Sequence, residues 1–149
     1  MNSRLSCGIV VHVREDACEI IAQDGRRSVR FAAMFPAPRT ERVSPGHLVA
    51  VANAGDGVET VVWRWYDAVV LADDGDLVRL WEPAHGEVSA VPRDALARPV
   101  GSRAYLSAGL PGADWWVAGP VVARPADAQV ELDEVERFIT DHHLWNQLV

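Results

Sequence analysis

The run from Val61 to Trp81, VVWRWYDAVVLADDGDLVRLW, limits what this chain can fold into more than any other stretch. Val61, Val62, Trp63, Trp65, Tyr66, Val69, Val70 and Leu71 are β-branched, aromatic or aliphatic, and no Gly or Pro interrupts them, so they suit a pleated, half-buried surface. The pattern predicts one long strand, Val58 to Leu71. Asp73, Asp74, Gly75 and Asp76 then supply a turn, because Asp tolerates left-handed backbone and Gly reaches positive φ without steric cost. Leu77 to Trp81 must return antiparallel. With Asp74 and Gly75 as the turn residues, Leu71 faces Val78 and Val69 faces Leu80, which predicts a core face of Val69, Leu71, Val78 and Leu80. The Asp cluster lacks the spaced oxygens and distal Glu of a calcium loop and reads as a hairpin tip.

The segments before this hairpin have the same rhythm. Cys7 to Val13, Ala17 to Gln23 and Arg27 to Ala33 are β-type runs separated by Arg14–Asp16 and Asp24–Gly25, a three-stranded meander. Met34 to Ser44 has no usable periodicity and reads as a loop, after which Pro45–Gly46 starts a strand at His47 to Ala52. Beyond the hairpin come a turn at His85–Glu87, a strand at Val88 to Val91, and two more β-type segments, Val100 to Leu110 and Trp115 to Ala123. Near the C-terminus the period changes. Asp133 with Glu136 three residues on is a capping-box arrangement, and Val135, Phe138, Ile139, His142, Trp145 and Val149 recur at helical spacing.

These elements predict an all-β chain of two small barrels sharing a long central strand, with an amphipathic C-terminal helix. The expected boundaries are 1–63 for a five-stranded barrel, 64–124 for a second barrel, and 125–149 for a linker and the helix. The meander, irregular crossing and GHLVAVA strand of the first part resemble the layout of OB-type or SH3-like barrels, S1-type domains included. Trp65 to Leu96, with an aromatic before the first strand, a tight hairpin, an aromatic ending the second and a PxxxL turn at Pro92 to Leu96, resembles a Tudor or related SH3-like barrel. That resemblance implies an aromatic cage for methylated Lys or Arg built from Trp65 or Tyr66, Trp81 and His85; the loop aromatic expected near Ala84–His85 is absent.

Charge is unevenly spread. Residues 1–52 carry seven Arg against five acids, whereas 53–149 carry seven Arg against sixteen, for a net formal charge of −7. An acidic total disfavours non-specific binding to nucleic acid or anionic membranes. Cys18 should face Val13 across a hairpin, leaving Cys7 roughly 20 Å farther along, too far for a disulfide, so both thiols are expected reduced and buried. With no signal peptide and no apolar stretch of about 20 residues, the sequence predicts a cytoplasmic protein off the membrane.

The sequence holds no nucleophile elbow, phosphate loop, dinucleotide fingerprint, HExxH or paired CxxC, and its five His are scattered. No catalytic residue, metal or cofactor is expected. Six Trp remain to be explained. The expected function is therefore a non-enzymatic protein-interaction module that presents Trp65, Tyr66, Trp81, His85, Trp115 and Trp116, with acidic side chains, to a protein partner, a basic one among the candidates. The alternative is an RNA- or single-strand-binding module using Arg26, Arg27, Arg30, Arg39 and Arg42; a third reading is a small acidic inhibitor or immunity-type protein. The helix leaves a monomer, or a dimer formed through it, as the expected states.

Overall fold

The computed structural model describes residues 5–31, 43–53, 59–92, 98–107, 115–122, 124–141 and 143. Nine strands and one helix account for most of them, an all-β fold with a short C-terminal helix. The strands are β1 (Leu5–Val13), β2 (Ala17–Ala22), β3 (Gly25–Phe31), β4 (Leu48–Asn53), β5 (Glu59–Asp73), β6 (Val78–Glu82), β7 (Gly86–Pro92), β8 (Arg103–Ser107) and β9 (Trp116–Pro120). The helix, α1, spans Gln129–Asp141 and follows a single 3-10 turn at Pro125–Asp127.

The chain divides into two compact units, residues 1–64 with 122–149, and residues 65–121. The boundary falls within β5, which gives its first part to one unit and its second part to the other. In the first unit the order is β3-β2-β1-β4-β5, and a parallel pairing of Arg30 with Thr60 and Phe31 with Val61 closes the ring. In the second the order is β5-β6-β7-β9-β8, and β8 closes antiparallel on β5 through Tyr66 with Leu106 and Val69 with Arg103. Both units are barrel-like with the same connectivity. A meander of three strands comes first, the fourth strand returns beside the first, and the fifth lies next to the fourth and parallel to the third.

Alternation explains the two cores. In the first barrel Val10, Cys18, Ile20, Val29, Val49, Val51 and Val61 point inward. Backbones approach closely at Gly8, where a Cβ would sit 2.7 Å from Ile20 Cδ1 and 3.1 Å from the Ile21 carbonyl. In the second barrel the core is Tyr66, Ala68, Val70, Val78, Leu80, Ala90, Leu106 and Val117. At the hand-over six successive β5 residues, Val61 to Tyr66, are buried, so neither face of the strand meets solvent there. Trp63 is covered in its unit by Phe138 of α1, with ring centroids 5.4 Å apart, and Trp65 in its own by Tyr105. Cys7 and Cys18 are free and buried, and Cys18 does pair with Val13.

Two expectations need correction. The central hairpin is offset from the predicted register: Val69 pairs with Trp81 and Val70 with Leu80, then a bulge at Leu71 brings Ala72 to Arg79 and Asp73 to Val78. The core face is therefore Ala68, Val70, Val78 and Leu80, and Leu71 is exposed. The cause is the turn, which uses four residues, Asp74 to Leu77. Asp74 Oδ1 accepts from the backbone N–H groups of Asp76 and Leu77, while Asp73 Oδ1 accepts from that of Gly75. The helix also begins four residues before Asp133. Asp133 accepts from Gln129 Nε2 one turn earlier, at 2.8 Å, and so braces the first turn from inside. Leu132, Val135 and Ile139 are buried within the first unit, to which the whole C-terminal segment belongs. His142, Trp145 and Val149 lie outside the described residues, as does most of the PxxxL turn.

Candidate interaction surface

Because side chains alternate along a strand, burying Val70, Val78, Leu80, Val88 and Ala90 turns their neighbours outward. On the outer face of β5, β6 and β7 this exposes Leu71, Arg79, Trp81, Glu87, Ser89 and Val91. Trp81 lies between Val69 of β5 and Glu87 of β7, and it is 47% exposed. Arg79, two residues along β6, reaches diagonally to Glu87 at 2.7 Å, a surface ion pair that flanks the indole. Toward the turn, Leu77 precedes the Val78–Ala90 pair and so falls beside Val91, with the bulged Leu71 on the next strand. Val100, 73% exposed, sits in a segment tied to β5 by bonds from Arg98 N–H to Asp73 Oδ2 and from Gly101 N–H to the Val70 carbonyl.

Six large hydrophobic side chains are exposed among the described residues, and Leu71, Leu77, Trp81, Val91 and Val100 all belong to the second barrel. The β5–β6 turn adds an acidic rim of Asp73, Asp74 and Asp76. Backbone N–H groups of Gly75 and then Arg98 bond to Asp73 and hold its carboxyl below the usual value, which favours its charged form.

The other aromatics are placed differently. Trp65 and Tyr66 are each 1% exposed and Trp116 is also buried, so none of the three is a surface anchor: Tyr66 belongs to the core of the second barrel, whereas Trp65 and Trp116 alternate with the inward Tyr66 and Val117 and are buried on the opposite face of their strands. A closed barrel of five short strands needs bulky inward side chains, and Tyr66 supplies one. Trp115 is half-buried against that core, where it forms a mutual cluster with Tyr66 and His85, at centroid separations between 4.9 and 5.7 Å. The imidazole of His85 thus packs against the rings of both Tyr66 and Trp115, while Trp81 stands exposed on β6. Glu82 holds the imidazole there. Its buried carboxylate lies 2.6 Å from His85 Nδ1 and accepts from the backbone N–H groups of Ala84 and His85, fixing the β6–β7 turn beside Trp81.

The arginines proposed for nucleic acid do not share a face. Arg26 and Arg30 project outward from β3, whereas Arg27 points the other way and pairs with Glu59 at 2.8 Å. Arg39 and Arg42 lie outside the described residues. Arg27 instead lines a groove of about 530 Å³ in the first unit, with Leu5, Cys7, Ala22, Pro125 and Leu132. Its charge is already met there by Glu59 and, at 3.7 Å, by Asp24. Among the described residues no group of three or more His, Cys, Asp and Glu could hold a metal ion, and no helix is long and apolar enough to cross a membrane. Glu82 and the bulged Leu71 are features of this region that the sequence reading missed; only the Leu71 bulge has a sequence signal, the acid-rich turn that follows it.

No protein-family model matches the chain, and no curated protein matches it.

Proposed function

We propose that the chain is a non-enzymatic protein-interaction module and that the outer face of β5, β6 and β7, centred on Trp81, is its docking surface. One observation carries this reading: among the described residues, five of the six exposed large hydrophobic side chains belong to the second barrel, with Trp81 of β6 among them. Scattered surface apolar residues need no explanation, but a contiguous set rimmed by charge marks an interaction site, and Trp dominates binding hot spots. The rim of Asp73, Asp74 and Asp76 favours a partner that brings basic side chains around an apolar centre. The strand order supports reading both barrels as OB-type, and such barrels use the face of their second and third strands for ligands. In the second barrel those strands are β6 and β7.

The test is affinity capture with the intact chain and with Trp81→Ala and Arg26→Ala/Arg30→Ala versions as baits. The reading expects one set of proteins retained by the wild type and the arginine variant and lost with Trp81→Ala. Nuclease-sensitive capture, lost instead with the arginine variant, would favour the nucleic-acid alternative.

A further inference from the structure

The equivalent outer face of the first barrel has the opposite character. Its second and third strands, β2 and β3, pair Ile21 with Arg26, Glu19 with Ser28 and Ala17 with Arg30. Ile21 is the sixth of the exposed large hydrophobics and stands beside Arg26. Arg26 and Arg14 share the single carboxylate of Glu19 at 3.5 and 3.8 Å while staying more than half exposed, so both pairs are weak and can be re-formed elsewhere. One barrel thus presents arginines beside an isoleucine, and the other presents the turn carboxylates Asp73, Asp74 and Asp76 beside Leu71 and Leu77, with Trp81 farther along β6 next to the Arg79–Glu87 pair.

We propose that the occupant of the Trp81 face is a second copy of this chain, docking head to tail through its Arg26, Arg30 and Ile21 face. This rests on the reading of the Trp81 face as a docking surface and adds the identity of the partner. Charge supports it, because the chain itself carries the basic, apolar-centred surface that the acidic rim selects. The two surfaces differ, so the contact is heterologous. Each copy keeps one unused face of each kind, and association can continue into longer assemblies or close into a ring. Rim charges chiefly set the association rate and its salt dependence, and the apolar centre holds the complex.

Sedimentation of the full chain over a range of concentrations, at low salt and at about 0.5 M salt, where the screening length falls to roughly 4 Å, tests this. The expected result is a mass that rises with concentration and is lowered by salt. Arg26→Glu/Arg30→Glu and Trp81→Asp should each sediment as monomers. Mixing the two should restore a 1:1 dimer and nothing larger, because each variant retains the face the other has lost. Melting curves matching the wild type establish that each variant is folded, and Leu77→Asp replaces Trp81→Asp should the latter not fold. A wild type that is monomeric at every concentration, an assembly that survives either variant, or a mixture that stays monomeric would overturn the proposal. A monomeric wild type that still captures other proteins through Trp81 would overturn the self-docking alone and leave the interaction module standing.

Discussion

On the outward positions of its second and third strands the first barrel carries Glu19, Ile21, Arg26, Ser28 and Arg30, whereas the second carries Arg79, Trp81, Glu87, Ser89 and Val91. The strand order is the same and the ring closes in the same way, so topology does not account for the difference. Nor does packing, since each barrel fills its interior with inward residues of the same strands. The first unit also has a helix that adds to its core, and among the described residues the second has none. Outer faces are free to vary once the inward positions are filled, and what varies there is what the molecule meets.

The largest expected effect sharpens the dependence of the first barrel on its helix. Removing residues 129–149 takes Leu132, Val135 and Ile139 out of the core and uncovers Trp63, a loss of roughly 5–9 kcal/mol at 1.5–3 kcal/mol per buried side chain. That is enough to unfold a marginal domain. Hydrogen exchange should then show β1 to β4 unprotected while β6 to β9 keep their protection; equal loss in both units would mean that they fold as one.

Within the second barrel, Leu80→Ala should cost about 2–5 kcal/mol, and Leu71→Ala, at the exposed bulge, well under about 1 kcal/mol. Similar denaturation midpoints for the two would restore the straight register and contradict the bulged one. Gly8→Ala acts on the first barrel alone. A methyl 2.7 Å from Ile20 Cδ1 forces the β1–β2 contact apart, at a cost of about 1–3 kcal/mol read from the midpoint of urea unfolding.

Titration gives the smallest effects and again separates the units. Burial pushes the Cys18 thiol in the first barrel up from 9.0 to about 11. The unfolded chain therefore loses that proton first, and stability contributed by the neutral thiol declines as pH rises from 9.0 toward 11. Native Cys18 should resist alkylation at pH 8 and react once unfolded. Asp73 in the second barrel is shifted the opposite way, below 3.8. Its contribution is present above the ordinary value and is lost as pH falls through the folded one, so Asp73→Asn should lower stability slightly at neutral pH and flatten the profile below pH 3.8, where the wild type has lost that contribution as well.

Much of this was legible in the residues. Strand rhythm located every strand of the first barrel and the central hairpin, and alternation placed Cys18 opposite Val13. Register was not legible, because Ala68, Val69, Val70 and Leu71 are all apolar and either alternate set could have faced inward. What decided it was the carboxylate of Asp74 capping a four-residue turn, a choice that spacing alone does not distinguish from a two-residue one. The helix start was hidden similarly: Ala128 gives no capping signal, while Asp133 looks like one. Of the candidate aromatics, Trp65, Tyr66 and Trp116 have the composition of a hot spot but are buried. Only strand pairing separates them from Trp81.

The central claim is that Trp81 anchors binding and does not hold the fold. Its most direct test pairs a melting curve with a titration of the captured partner against the chain with and without Trp81→Ala, both in an Arg26→Glu/Arg30→Glu background so that only the Trp81 face can dock. The account predicts a melting temperature within a few degrees of the chain that keeps Trp81 and an affinity at least about 30-fold weaker, equivalent to about 2 kcal/mol. Unchanged affinity, or a lost fold, would contradict it.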